Sequence, residues 1–270
     1  MRPGGRSPVV SGPASGPVER PAWLLGGGAL VLVLLGWEAI ARLGWVPALF
    51  LPAPTAVVEE AGRMARSGEL WRHLAVSLAR VGIGFGLGAV VGTALGLLLG
   101  VSRVVWAITN PIIAATYPIP KIALLPLMIL WLGIGETPKV VLIALGVFFP
   151  VVINTYAGVR GTDPFMVKTA KSLGAGPWQV VRKVVLPSAL PTILAGYRLG
   201  TGIALLLVVS AEMINATSGI GFLILNSGDL MLTGKLMVGL VILSLLGLVS
   251  TWGLRALEAW LTPWKEDDRA

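Results

Sequence analysis

Residues Thr162–Pro191 read TDPFMVKTAKSLGAGPWQVVRKVVLPSALP, the most informative stretch of the chain. Two short helices are written in it. Asp163 is suited to cap the first, and Pro164 to its first position, where a missing N–H costs nothing. Gly174 is placed to close that helix in the left-handed conformation. Gly176-Pro177 opens a second helix, which Pro187 is expected to end. At helical spacing Phe165, Thr169, Ala170 and Leu173 share one side of the first helix, and Lys168 and Lys171 lie on the other. Hydrocarbon cannot hold Lys168, Lys171, Arg182 and Lys183 cheaply, so the stretch sits outside a membrane, between two apolar runs. An amphipathic helix lying on the membrane surface is the plainer alternative.

The composition around it requires a membrane. Hydrophobic residues make up 55% of the chain and charged residues 13%. Mean hydropathy is +0.84, far from a soluble domain. A polytopic, all-α membrane protein is the class that fits. The net charge of +8 then needs no nucleic acid, because basic residues at the cytoplasmic ends of spans, near anionic lipid, account for it. The chain has no cysteine and a single histidine, His73, which excludes disulfides and thiolate metal sites and leaves no basis for a histidine metal site. The reading calls for no metal and no cofactor.

Working outward, residues 1–20 are rich in Gly, Pro, Ser and Arg and lack the apolar core of a secretory signal. They read as a disordered cytoplasmic tail. The membrane domain is expected over 21–264, with the loop just quoted at 162–187, and a polar tail over 265–270. Apolar runs place six spans near Trp23–Ala41, Val81–Gly100, Val104–Gly133, Val140–Ala157, Ile193–Ile214 and Leu236–Leu257. Residues 55–76 look like one amphipathic helix, with His73 beyond it as a surface residue. Six spans put both termini and the 162–187 loop on one side, and Lys and Arg favour that side as the cytoplasmic one.

Three features inside the spans bear on function. Gly84, Gly88, Gly92, Gly96 and Gly100 recur every four residues and form a face for close helix packing, with a substrate role as the alternative. The third apolar run is broken by Pro111, Pro118, Pro120 and Pro126, with Lys121 among them. Broken helices at membrane depth need cover from protein or a water-filled cavity, so Tyr117, Pro118 and Lys121 are candidates to line a path for an anion, against a simple bent helix. Asn154, Ser210 and Glu212 are further polar candidates. Glu212 marks either a path or a structural pair; for an anionic solute the pair is preferred, since a bare carboxylate would repel it.

Catalytic motifs are missing. The nearest approach to a Walker A sequence, Gly228 to Leu236, has five residues between its glycines and Leu where Ser or Thr is required. Neither His-Glu-x-x-His nor Gly-x-Ser-x-Gly occurs. A membrane-embedded enzyme, or a membrane anchor or scaffold, stays open as a reading, though the enzyme has no catalytic set to rest on.

The 162–187 stretch resembles the cytoplasmic coupling loop of ABC importer permeases, whose pattern is Glu-Ala-Ala, three residues, Gly, nine residues, Ile-x-Leu-Pro. Lys168-Thr169-Ala170 stands at the triplet, Gly174 at the glycine, and Leu186-Pro187 at the end. The spacing matches; Lys168 and Thr169 depart from the family's Glu and Ala. Resemblance to the sulfonate/nitrate/taurine branch extends through Leu51-Pro52-Ala53-Pro54, Gly68–Leu74, Leu125–Glu136, Ala211-Glu212, Ser218–Gly221 and Leu261–Trp264. It implies the type I importer permease fold, a homodimeric pathway, two copies of a separate ATP-binding subunit on the coupling loops, and an extracytoplasmic solute-binding protein. It also implies the bacterial plasma (inner) membrane, and a solute among taurine, alkanesulfonates, nitrate, bicarbonate, aromatic acids or thiamine precursors.

Overall fold

A computed structural model describes residues 22–263, all of whose regular elements are helical. The expected tails at 1–20 and 265–270, and Trp264, lie outside the described residues. The chain divides into two compact units, up to Thr55 and from Ala56 onward.

In the first unit α1 (Ala22–Arg42) is one long apolar helix, with no residue from Leu25 to Arg42 buried. That surface suits hydrocarbon. Near its end Glu38 accepts from Thr55 N–H (3.1 Å) and Thr55 Oγ1 (2.8 Å) and pairs with Arg42 (2.5 Å). Trp37 Nε1 donates to Pro52 O at 3.1 Å.

After α2 (Pro54–Arg66) the chain turns at Gly68, whose φ is 80°, and α3 runs from Glu69 to Val101. The single amphipathic helix expected over 55–76 is therefore two elements, because the left-handed turn at Gly68 redirects the chain. It also carries His73 into the bundle: the residue is 2% exposed, not on the surface.

The remaining elements are α4 (Arg103–Thr116), a 3-10 turn at Lys121–Leu124, α5 (Leu125–Leu132), α6 (Thr137–Arg160), α7 (Pro164–Ser172), α8 (Pro177–Val180), a π turn at Val181–Val185, α9 (Leu186–Asn215), α10 (Ile220–Asp229) and α11 (Thr233–Leu261). Among the described residues five helical stretches are long and apolar enough to span, and the pair α4 and 121–132, bent by 89°, counts as a sixth when taken as one span.

The glycine face of α3 builds the centre. A Cβ on Gly84 would lie 2.7 Å from Ile143 Cβ, and one on Gly88 2.8 Å from Val147 Cβ. On Gly92 it would lie 3.0 Å from Val151 Cβ, on Gly96 2.5 Å from Thr155 Cβ, and on Gly100 2.5 Å from Val159 Cβ. The partners advance four residues for every four on α3, so α3 and α6 run parallel in one fixed register. Parallel neighbours require the chain between them to return the full length of the bundle, so α4 and α5 together make one crossing. On its other side α6 meets α9 antiparallel, with Gly158 against Ala189 and Thr192, Asn154 against Gly196, and Gly146 against Ile203. Leu142, Ile143, Val147, Val151, Ala204 and Ala211 fill the core between them.

Pro187 does not end its helix. From Pro177 to Asn215 the chain is continuous over 39 residues. Leu186 N–H reaches Val181 O, five residues back. That widened turn absorbs the missing donor and bulk of Pro187. The helix α10 was not foreseen; it is too short and too mixed in pattern to stand out beside two spans.

Candidate functional site

The segment joining α6 to α9 is held rigidly from its own sequence. Asp163 Oδ1 accepts from Phe165 N–H at 2.8 Å, capping α7. Its other end is a Schellman closure: Gly174 N–H donates to Lys171 O and Ala175 N–H to Ala170 O, both at 3.0 Å. Gly174 has φ 86°, the left-handed conformation that disfavours a side chain. Gly176 N–H then donates to Gln179 Oε1 at 3.0 Å.

Val167, Ala170 and Ala175 pack on a small core of Val159, Val180, Val185, Ala189 and Ile193, which fixes the segment to the spans. The opposite face is bare. Phe165 is 73% exposed, Leu173 83% and Trp178 72%. Beside Phe165, Met166, Thr169 and Leu173 an open hollow of about 650 Å³ is closed off by Lys183, Val184, Pro187 and Ser188. Lys168 and Lys171 are exposed and border a second hollow, with Val159, Arg160 and Val181. A braced helix pair that ends in bare Phe, Leu and Trp presents an apolar patch of the kind that marks a protein or membrane contact.

The broken third run is closed locally. Lys121 Nζ donates to Thr116 O (2.9 Å), Tyr117 O (3.0 Å) and Ile119 O (2.8 Å), so its ammonium caps the end of α4. It also lies 4.2 Å above the Phe149 ring. Tyr117 packs on the same ring, and Tyr117 and Pro118 are exposed. Asn154 is half-buried and donates to Pro150 O at 2.8 Å; Ser210 donates to Leu206 O at 2.9 Å. The structure thus joins Tyr117 to Lys121, while Asn154 and Ser210 bond within their own helices.

Glu212 lies at the end of the bundle away from the 162–187 segment, in a buried polar network. Arg80 Nη1 donates to its Oε1 at 2.8 Å, with the two side chains 4% and 0% exposed. Ser77 Oγ donates to Glu212 (2.7 Å), and Gly221 N–H to its Oε2 (2.8 Å). Arg80 also donates to Ser218 O (2.7 Å) and, through Nε and Nη2, to both oxygens of Glu136 (2.5 and 2.8 Å). Gly219 has φ 121°, and a Cβ there would strike the Glu212 carboxylate. Its N–H donates to His73 Nδ1 at 3.1 Å. Outside the spans, the hydrogen bond from Arg80, then the Arg80 and Lys139 charges, hold the Glu136 carboxyl down at about 2.

Residues 88–263 match the family described as the binding-protein-dependent transport system inner membrane component. The chain belongs to this family. It is a transport permease of the ABC importer class. The permease is 39% identical over 242 residues to the taurine transport system permease protein TauC of Escherichia coli (strain K12), covering 88% of each chain. It is 38% identical over 247 residues to the putative aliphatic sulfonates transport permease protein SsuC of Bacillus subtilis (strain 168), covering 92% of this chain and 90% of that one. Among solved structures it resembles the MetNI methionine ABC transporter in an inward-facing conformation, with TM-score 0.54 and 21% identity over 67% of this chain and 92% of that one. An amino acid ABC transporter gives TM-score 0.51 and 17% identity over 72% and 92%. At those identities the likeness concerns the fold, which is the type I importer permease fold.

Sequence reasoning passed over Arg80, Lys139 and Ser77 in the permease, and set His73 on the surface. Each lies near a span end or in an amphipathic stretch, where polar residues are ordinary. The available signal was spacing: His73, Ser77 and Arg80 follow at four and three residues, one face of a helix otherwise apolar further on.

Proposed function

We propose that this permease carries a small sulfonate-type anion into the cytoplasm by alternating access, driven by a separate ATPase. Two copies form one pathway, and two ATP-binding subunits dock on the segment 162–187. An extracytoplasmic solute-binding protein delivers the solute at the opposite end. The chain lies in the bacterial plasma membrane with its N-terminus in the cytoplasm. ATP binding draws the two docked subunits together, and the rigid segments pass that movement to the spans.

The observation that carries this reading is the capped α7–α8 corner with its bare Phe165, Leu173 and Trp178. A corner fixed to the bundle on one face and apolar on the other transmits force; a lipid-facing helix needs no such bracing. Lys168 stands where relatives of the resemblance carry Glu, so docking on this permease leans on apolar contact, with Lys168 and Lys171 facing acidic groups of the ATPase. The sulfonate assignment is supported by the taurine and aliphatic sulfonate permeases at 39% and 38% identity.

The test is co-purification. Phe165→Ser with Leu173→Ser should cut recovery of the ATP-binding subunit by about tenfold or more, as loss of a desolvated anchor does. The permease itself should melt as before. Undiminished recovery would remove the docking assignment.

A further inference from the structure

The Arg80–Glu136 pair is built differently from the Arg80–Glu212 pair beside it. Glu212 is wholly buried, whereas the Glu136 side chain is 62% exposed. Glu136 precedes α6 in the loop Gly133-Ile134-Gly135-Glu136, in which Ile134 is 86% exposed and Gly133 has φ 79°. Its carboxylate accepts two hydrogen bonds from Arg80 and lies 3.2 Å from Lys139 Nζ. Lys139 is 3% exposed and also donates to Asn215 O at 2.8 Å. The side-chain N–H2 of Asn215 is buried without a hydrogen-bond partner.

The charges balance only while Glu136 is in place. Arg80 and Lys139 face Glu136 and Glu212. If the exposed carboxylate swings away, two buried cations face one carboxylate, and one positive charge is left uncompensated in a low-dielectric site. The guanidinium fork that remains is aimed at two oxygens on one atom, the geometry of a carboxylate or a sulfonate.

We propose that Arg80 and Lys139 form an anion site at the end of the bundle opposite the coupling segment, in which Glu136 is a resident, displaceable occupant and a small sulfonate is the exchanging ligand. The solute class rests on the function proposed above; the site itself rests on the geometry. Glu136 keeps the site closed to weak anions and neutral when no solute is present. An arriving sulfonate takes over the two Arg80 donors and the Lys139 ammonium, and Glu136 turns out on its glycine loop. No net charge is buried at any stage, because one anion replaces another.

The test uses the full chain in phosphatidylcholine nanodiscs, with radiolabelled ethanesulfonate as the probe. Glu136→Gln keeps the shape of the side chain and removes the competing charge. It should bind ethanesulfonate at least about tenfold more tightly than the parent. Adding Lys139→Gln should return affinity to the parent's level. A folded Glu136→Gln protein with parental affinity would overturn the site. Loss of the probe when phosphatidylglycerol is added would assign the pocket to a lipid headgroup and overturn the solute assignment.

A second measurement guards against misfolding of that variant. Glu136→Cys, in a chain with no cysteine of its own, is treated with methanethiosulfonates bearing either a sulfonate or a quaternary ammonium. The sulfonate reagent should be favoured at least about tenfold more at position 136 than at the exposed control Ile134→Cys, and ethanesulfonate should slow it. Equal preference at both positions would overturn the proposal. Neither assay contains an ATPase. Uptake by the parent complex without a binding gain therefore sinks the site alone, and binding without ATP-dependent uptake sinks the importer reading alone.

Discussion

Arg80 Nη1 and Glu212 Oε1 meet at 2.8 Å inside the helix bundle, the first side chain 4% exposed and the second 0%. They join α3 to α9, and through Ser218 and Gly221 they fix the turn that leads into α10. A pair so buried is weak evidence of net stabilisation, but removing one member leaves an uncompensated charge.

Arg80→Met or Glu212→Gln alone should therefore destabilise the bundle by roughly 3–5 kcal/mol. The double change Arg80→Met with Glu212→Met should recover much of the loss. Thermal unfolding in nanodiscs, arranged as a double-mutant cycle, measures it. Additive losses would mean that the two side chains do not act as a pair.

The α3 glycines divide by what faces them. A Cβ on Gly92 would lie 3.0 Å from both Phe148 O and Val151 Cβ, and the carbonyl cannot move without breaking α6. Gly82 and Gly86 have nothing within 4 Å. Gly92→Leu should abolish monodisperse protein. Gly82→Ala and Gly86→Ala should be neutral or gain up to about 1 kcal/mol from helix propensity. Size-exclusion profiles and melting temperatures separate the two classes.

At Gly174 the backbone has φ 86°. Gly174→Val should cost roughly 1–2 kcal/mol locally and displace the Phe165–Leu173 face, lowering transport-coupled ATP hydrolysis while the spans still insert. Gly174→Asn, which tolerates this conformation, should retain most activity. Equal activity of the Val and Asn variants would show that the closure of α7 does not position the docking face.

Glu136 is held at about 2 against an ordinary value of 4.5. A carboxyl depressed on folding stabilises the folded state above its unfolded pKa and loses that contribution as pH falls toward the folded one. The melting-temperature difference between the parent and Glu136→Gln should thus stay level from neutral pH to about 5 and shrink between 4.5 and 2. It should also fall with salt, because the side chain is 62% exposed. A difference that grows on acidification would contradict the assignment.

Much of this was legible in the residues. The shape of the segment between α6 and α9 could be read because its signals are local: a cap at Asp163, a proline at 164, a left-handed glycine at 174. The glycine face of α3 was legible as a spacing, though its partner on α6 was not, since periodicity names a face and not its neighbour. Pro187 misled because its cost was absorbed by a π turn that no sequence rule marks. Lys121 reads as a lone ammonium, and only the folded chain brings the carbonyls of Thr116, Tyr117 and Ile119 around it. Arg80 and Glu212 are 132 residues apart, and nothing local in either announces the other.

The most direct test of the coupling account is sided transport. The permease carrying Leu173→Cys is assembled with its ATP-binding subunit and binding protein in proteoliposomes, and radiolabelled taurine or ethanesulfonate is supplied with the binding protein. The account predicts that solute accumulates only when ATP is present on the opposite face, and that a water-soluble thiol reagent labels position 173 only from that ATP side when the ATPase is absent. Solute crossing without ATP, or labelling of position 173 from the side of the binding protein, would contradict it.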